Sequence, residues 1–185
     1  MAVTTTQTSS IIIDPLSRIL ILVASFFTII ALTLVIIGTA THSWFYDQDS
    51  TGITLSYNFF TQCTGNLLNG TSNCIDMQRN TQLGLGTQHA AALLVTGICL
   101  LGIGTLITIT MNCVHLSGSL SFIPSILLFL AALFIVAAFA EGSRVTTYNS
   151  YSANLVQTGH LLTIFSMGII GFASGRSHVQ YHGEF

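Results

Sequence analysis

Residues 19–37 (ILILVASFFTIIALTLVII) contain no charge, no proline and no strongly polar group. At about 1.5 Å per residue, a helix of this stretch crosses a bilayer core of about 30 Å. A signal-peptide core runs to only about 7–15 residues, so the stretch is read as a retained span although the small residues Gly38-Thr39-Ala40 follow it. Residues 90–111 and 122–140 meet the same criterion, with Pro124 near the start of its helix, where a missing N–H costs little. Residues 155–173 reach span length only by including Gln157 and His160, which are expected in the first turns near the interface, where polar groups insert most easily. The whole chain agrees, since 5% of its 185 residues are charged against about 25% in a soluble domain. Four Arg, no Lys and six carboxylates give a net charge of −2. That leaves no basic surface for a polyphosphate, which excludes nucleic acid as a partner and makes membrane lipid the first one.

The expected order is a cytoplasmic N-terminus (1–18), a first span (19–37), a long outer loop (38–89), a second span (90–111), a cytoplasmic turn (112–121), a third span (122–140), a second outer loop (141–154), a fourth span (155–173) and a cytoplasmic tail (174–185). Arginine counts do not orient it, because Arg18 and Arg176 on one side balance Arg79 and Arg144 on the other. Cys63 and Cys74, with the glycosylation sequon Asn69-Gly70-Thr71 between them, break the tie. Disulfide formation and glycosylation at Asn69 both belong to the lumenal or extracellular side. An integral protein of the plasma membrane with both termini cytoplasmic is expected.

In the long loop, Ile53, Leu55, Tyr57 and Phe59 alternate with Thr54, Ser56 and Asn58, the period of a half-buried strand. Residues 145–151 (VTTYNSY) of the second outer loop also have strand composition and could add an edge. The fold expected is an all-α membrane protein: a four-transmembrane-helix bundle carrying a small extracellular antiparallel β-sheet from the two outer loops. A Cys63–Cys74 bridge around so short a loop contributes about 3 kcal/mol on the chain-entropy model. A two-residue turn at Asn69-Gly70 would set the cysteines out of register, whereas a four-residue loop, Leu67 to Gly70, places them opposite and the sequon at the hairpin tip. The second register is preferred.

Trp44 soon after the first span, then Phe60-Thr61-Gln62-Cys63 and Cys74 before the second, resembles the claudin superfamily, which includes claudins, peripheral myelin and epithelial membrane proteins, and gamma-type auxiliary subunits. Its first-loop signature reads Trp, then Gly-Leu-Trp-x-x-Cys, then a second Cys. Here Trp44, Cys63 and Cys74 match, while Asn58-Phe59-Phe60 stands where Gly-Leu-Trp would be, so that Phe60 keeps aromatic character at the third position. The resemblance implies a left-handed bundle under an extracellular antiparallel sheet, with Trp44 packed near the membrane surface. It implies a structural protein of cell contacts, self-associating through the sheet for adhesion or a paracellular barrier or pore. A gamma-type subunit that modulates a channel or receptor is the alternative, and a membrane organiser acting only through its helices a more distant one. Asp47 and Asp49 lie in the stretch that lines the pore of channel-forming claudins and could attract cations; a solvated turn explains them as well. Arg79 stands where many claudins have an Arg, at a different spacing, and is expected to play a surface or headgroup role.

Cys113 ends the second span, where S-palmitoylation is possible, and Cys99 reads as a small apolar residue. Gly97, Gly104, Gly168, Gly171 and Gly175 permit close helix approach, with Gly171-x-x-x-Gly175 of the small-xxx-small kind, expected to pack inside the bundle. His42, His89 and His160 are expected near outer helix ends without ligand partners, and His178 and His182 lie in the tail, so no metal and no cofactor are expected. The terminus Gly183-Glu184-Phe185 lacks the side chain a PDZ groove needs two places back. The first three spans hold no titratable Asp, Glu, Lys or Arg, and the chain shows no nucleophile–base pair, so an enzyme is not expected.

Overall fold

Four helices carry the apolar stretches: α1 (Pro15–Ala40), α2 (Thr87–Thr110), α3 (Ile123–Gly142) and α4 (Tyr151–His182), each long and apolar enough to cross a membrane. The computed structural model describes residues 15–76, 87–114, 118–143 and 148–182, with the side chains of residues 87, 118 and 177–182 outside the description. α1 has 26 residues, about 39 Å of helix, and overshoots its uncharged core at both ends. α4 overshoots further, so that the stretch expected to be a tail is helical to His182.

The helices turn outward many bulky apolar side chains that a soluble bundle would hide, while Leu94, Leu101, Leu128 and Ile135 are fully buried. Bulky side chains such as Ile19, Leu22, Phe26 and Ile29 of α1 and Leu133 and Val136 of α3 face outward, while Ala24, Ala31, Ala131, Ala138 and Ala153 are buried. Lipid is as apolar as leucine, so removing a leucine from it gains little, and these helices gain chiefly by backbone proximity and van der Waals contact. α1 packs most extensively on α4, and α2 on α3. The first pair is closed by two reciprocal glycines. A Cβ on Gly38 would come within 2.7 Å of Ser152 O, and one on Gly159 within 2.8 Å of Ala31 O. In the second pair, a Cβ on Gly97 would lie 2.8 Å from Ile135 Cγ1 and one on Gly104 3.0 Å from Leu128 Cδ2. The Gly171-x-x-x-Gly175 pattern does not lie in a tight seam, because a Cβ on Gly168 or Gly175 would meet open space and one on Gly171 only Ser125 Oγ. The close contact falls instead on Gly159, one glycine in a stretch chosen by length alone.

His160 also departs from expectation. α4 starts at Tyr151, so His160 lies well below its first turn, with Nε2 3.2 Å from the carbonyl of Ala132 in the middle of α3. A half-buried imidazole at that depth is tolerated because a carbonyl partners it.

Between α1 and α2 the chain forms a four-stranded antiparallel meander in the order β1 (Phe45–Gln48), β2 (Ile53–Tyr57), β3 (Thr61–Asn66) and β4 (Thr71–Asp76). The strand period read in residues 53–59 is present as β2, but the side chain buried in it is Ser56, with Ile53 exposed and Leu55 and Tyr57 half-buried. The β3–β4 loop is Leu67 to Gly70, with Gly70 at a positive φ of 62° that closes the turn. Cys63 therefore faces Cys74, and the two form a disulfide.

The connection between α3 and α4 gives the sheet no strand among the described residues. Of residues 145–151, Val145, Thr146 and Thr147 lie outside the described residues, Tyr148 to Ser150 are irregular, and Tyr151 opens α4. Asn149 contributes its side chain instead. Its Oδ1 accepts the Tyr46 N–H at 2.9 Å and its Nδ2 donates to Tyr46 O at 2.8 Å. One amide thus pairs with the free edge of β1 as a fifth strand's peptide would.

Candidate functional site

The feature this fold presents is the sheet, and two side chains seat it on the bundle. Asn58, in the β2–β3 turn, accepts the N–H groups of Phe60 and Thr61 on Oδ1, both at 2.7 Å. Its Nδ2 donates to Thr41 O at 3.1 Å, just past the end of α1. Short polar side chains favour such turns because they satisfy the turn's own backbone.

Trp44 is the second. It is 2% exposed, and its Nε1 donates to Gly38 O at 2.6 Å, in the last turn of α1. Its ring lies 4.7 Å from Phe59, 5.5 Å from Phe139 in a stacked pair, and 5.7 Å from Tyr148 edge-on. Aromatic pairs of this kind contribute about 0.5–1.5 kcal/mol each beyond the area they bury. The Tyr148 hydroxyl donates to Phe139 O at 3.0 Å, and burial pushes its phenol well above the usual value. Gly142 is fitted to this cluster, since a Cβ there would run into the Phe59 ring and the Tyr148 hydroxyl. Trp44 thereby joins the end of α1, the start of β1, the β2–β3 turn, α3 and the approach to α4. Phe60, at the third position of the signature, is half-buried, and its neighbour Phe59 takes the place beside Trp44.

The outer surfaces of the sheet are less covered. Phe45, Leu55, Tyr57 and Ile75 share one face, with Phe45 stacked on Tyr57 at 4.7 Å, and Ile75 exposed at its far side. Every residue of β4 is exposed, and no further strand among the described residues pairs with its outer edge. At the hairpin tip Leu68 is 81% exposed beside Asn69, itself exposed.

The acidic pair is exposed and differs in its partners. Asp47, on β1, accepts the Gln48 N–H at 2.9 Å. Asp49 spends both oxygens on its own turn: Oδ1 accepts from Ser50 N at 2.7 Å and Oδ2 from Thr51 Oγ1 at 3.1 Å. Those donors, the Ser50 N–H first, hold its carboxyl below the usual value. Cys113 is an exposed free thiol just past α2, Cys99 is exposed within α2, and His42 and His89 are exposed. Arg79 and Arg144 lie outside the described residues, as do the side chains of His178 and His182. Among the described residues no three His, Cys, Asp or Glu side chains gather into a metal-binding group.

Sequence reading named Trp44 and the cysteine pair but missed Asn58 and Phe59 as the seat, Tyr148 and Asn149 as the clasp, and Gly38 and Gly159 as the seam. Asn58 carried the one usable signal, an amide residue directly ahead of two aromatics at the end of a strand. No family model matches this chain, and no curated protein matches it.

Proposed function

We propose that this is a claudin-like structural membrane protein of cell contacts, its sheet outside the cell and both termini cytoplasmic, self-associating through that sheet in adhesion or a paracellular barrier. The observation that carries the reading is a contrast within the sheet. Its base is fixed through Trp44 to α1, to α3 and to the approach to α4, whereas β4 and the Ile75 end of the apolar face are left bare. A strand edge with unpaired N–H and C=O groups is a template for another chain, and soluble proteins normally blunt it. If the barrier is also a pore, Asp47 is the better candidate for its cation-attracting group, because the Asp49 carboxylate is spent on Ser50 and Thr51.

The test is to express a tagged chain in cells that otherwise make no contacts and to image its distribution. Enrichment where two expressing cells touch, lost on removal of residues 45–76, is the expected result. Uniform surface staining overturns the reading and favours an auxiliary subunit, for which stoichiometric recovery with one larger channel or receptor is the sign.

A further inference from the structure

Leu68 is the most exposed large apolar side chain among the described residues, at 81%, and it belongs to no helix. The ladder fixes its place. The β2–β3 turn sits on the end of α1 through Asn58, so the β1–β2 turn and the β3–β4 loop lie at the opposite end of the strands, about 17 Å away along the five residues of β2. There the two loops meet. Leu67 N donates to Gly52 O at 3.0 Å, and a Cβ on Gly52 would lie 3.4 Å from Leu68 Cγ. Leu67, Leu68 and Ile53 are all exposed, which makes this end of the sheet an apolar tip. Bulky side chains exposed on the helices have lipid to cover them, but the exposed Asp49 carboxylate shares this end, and a charge of that kind keeps to water.

Directly after the two leucines stands a sequon. Asn69 is the one asparagine of the chain with a hydroxyl residue two places on and no proline between. Asn58, Asn66, Asn112 and Asn149 spend their side-chain amides on hydrogen bonds within the fold. Neither the Asn69 amide nor the Thr71 hydroxyl is so engaged among the described residues. Asn69, Gly70 and Thr71 are exposed, and a Cβ on Gly70 would meet nothing within 4 Å, so the space in front of the turn is open.

We infer that Asn69 carries an N-linked glycan whose first sugars lie over Leu67 and Leu68. In its attachment Asn69 Nδ2 bonds to the anomeric carbon of a lipid-linked oligosaccharide pyrophosphate. The bond from that carbon to the pyrophosphate oxygen breaks, the lipid pyrophosphate leaves, and the amide gives up one proton. A pyranose ring turns C–H groups to its faces and hydroxyls to its rim, so one sugar buries apolar surface and stays hydrated. β4 runs from Thr71 back toward the seat, and the glycan therefore leaves its Ile75 end bare. The inference shares with the cell-contact reading only the sheet's position outside the cell.

The test uses the full chain with a C-terminal tag, recovered from the surface of mammalian cells. Peptide N-glycosidase should raise its mobility by one glycan, and release in heavy-oxygen water should leave the label at position 69, a readout on the wild-type chain that needs no variant to fold. Asn69→Gln and Thr71→Ala should each run as the released chain does, and Thr71→Ser should keep the glycan. Chymotrypsin, which cuts after large apolar residues, should sever the released chain after Leu67 or Leu68 several-fold faster than the glycoprotein, read on reduced protein because the Cys63–Cys74 bridge holds the pieces together. A tag reached by antibody only after permeabilisation puts the sheet outside. With that result, mobility unchanged by the glycosidase overturns the site and leaves the cell-contact reading standing, whereas a tag reached on intact cells overturns both. Equal cleavage before and after release overturns the cover over the leucines.

Discussion

β1 and β4 are both edge strands of one sheet, but the rest of the chain treats them differently. β1 is short, follows directly on the buried Trp44 and has the amide of Asn149 bonded to both free backbone groups of Tyr46. β4 has six exposed residues and is held from its inner side, through the ladder to β3 and the Cys63–Cys74 bridge. The difference teaches that the disulfide does for β4 what packing does for β1, with one consequence. A cross-link fixes a strand without covering it, so β4 is kept in place with its outer edge still bare, which is the arrangement a docking edge needs.

The largest expected effect comes from removing the cross-link. In Cys63→Ser/Cys74→Ser, β4 should lose about 3 kcal/mol of support, read as fast amide exchange over residues 71–76 while β1 and the helices stay protected. Equal loss of protection at Tyr46 would break the comparison, because the sheet would then open as one unit. Asn149→Ala comes next. It removes two hydrogen bonds at about 0.5–1.5 kcal/mol each and should speed exchange of the Tyr46 N–H and loosen β1 alone. If β4 loosens with it, the two edges are coupled across the sheet.

These effects concern residues whose roles were unequally legible in the sequence. Four helices could be read because a span must be predominantly apolar over its length, a one-dimensional property that the fourth, with Gln157 and His160, meets least well. The Cys63–Cys74 register could be read because the pleat admits few pairings once the loop length is chosen. Asn149 could not be read, since its role depends on Tyr46, a partner 103 residues away, and nothing local marks it. The second loop carried strand composition, and its aromatic Tyr148 was taken up instead by the Trp44 cluster, a case of tertiary packing overriding propensity. His160 was placed too shallow for a related reason. Its depth is set by where α4 begins, and Tyr151 to Leu155 are helical although their composition is mixed. The glycine seam shows the same limit, because Gly38 and Gly159 become informative only when α1 and α4 are known to be neighbours.

The smallest expected effect lies where the two hairpins meet. The turn after β1 has Gly52 N bonded to Asp49 O at 2.9 Å, and Gly52 O in turn accepts Leu67 N at 3.0 Å from the loop that leads into β4. Asp49 is fully exposed, so its contribution is local, but its direction is determined. Its folded-state value lies below the ordinary 3.8 because the ionised form accepts from Ser50 and Thr51. The support it gives the turn is therefore complete at pH values above the ordinary one and is lost as the pH falls through the lower folded-state value. Following the Ser50 amide against pH should show a transition below the ordinary carboxylate range, absent in Asp49→Asn. A transition at or above 3.8 would mean that the Asp49 hydrogen bonds do not persist. In that case the contact between Gly52 and Leu67, rather than the carboxylate, would be what holds this turn against the β3–β4 loop.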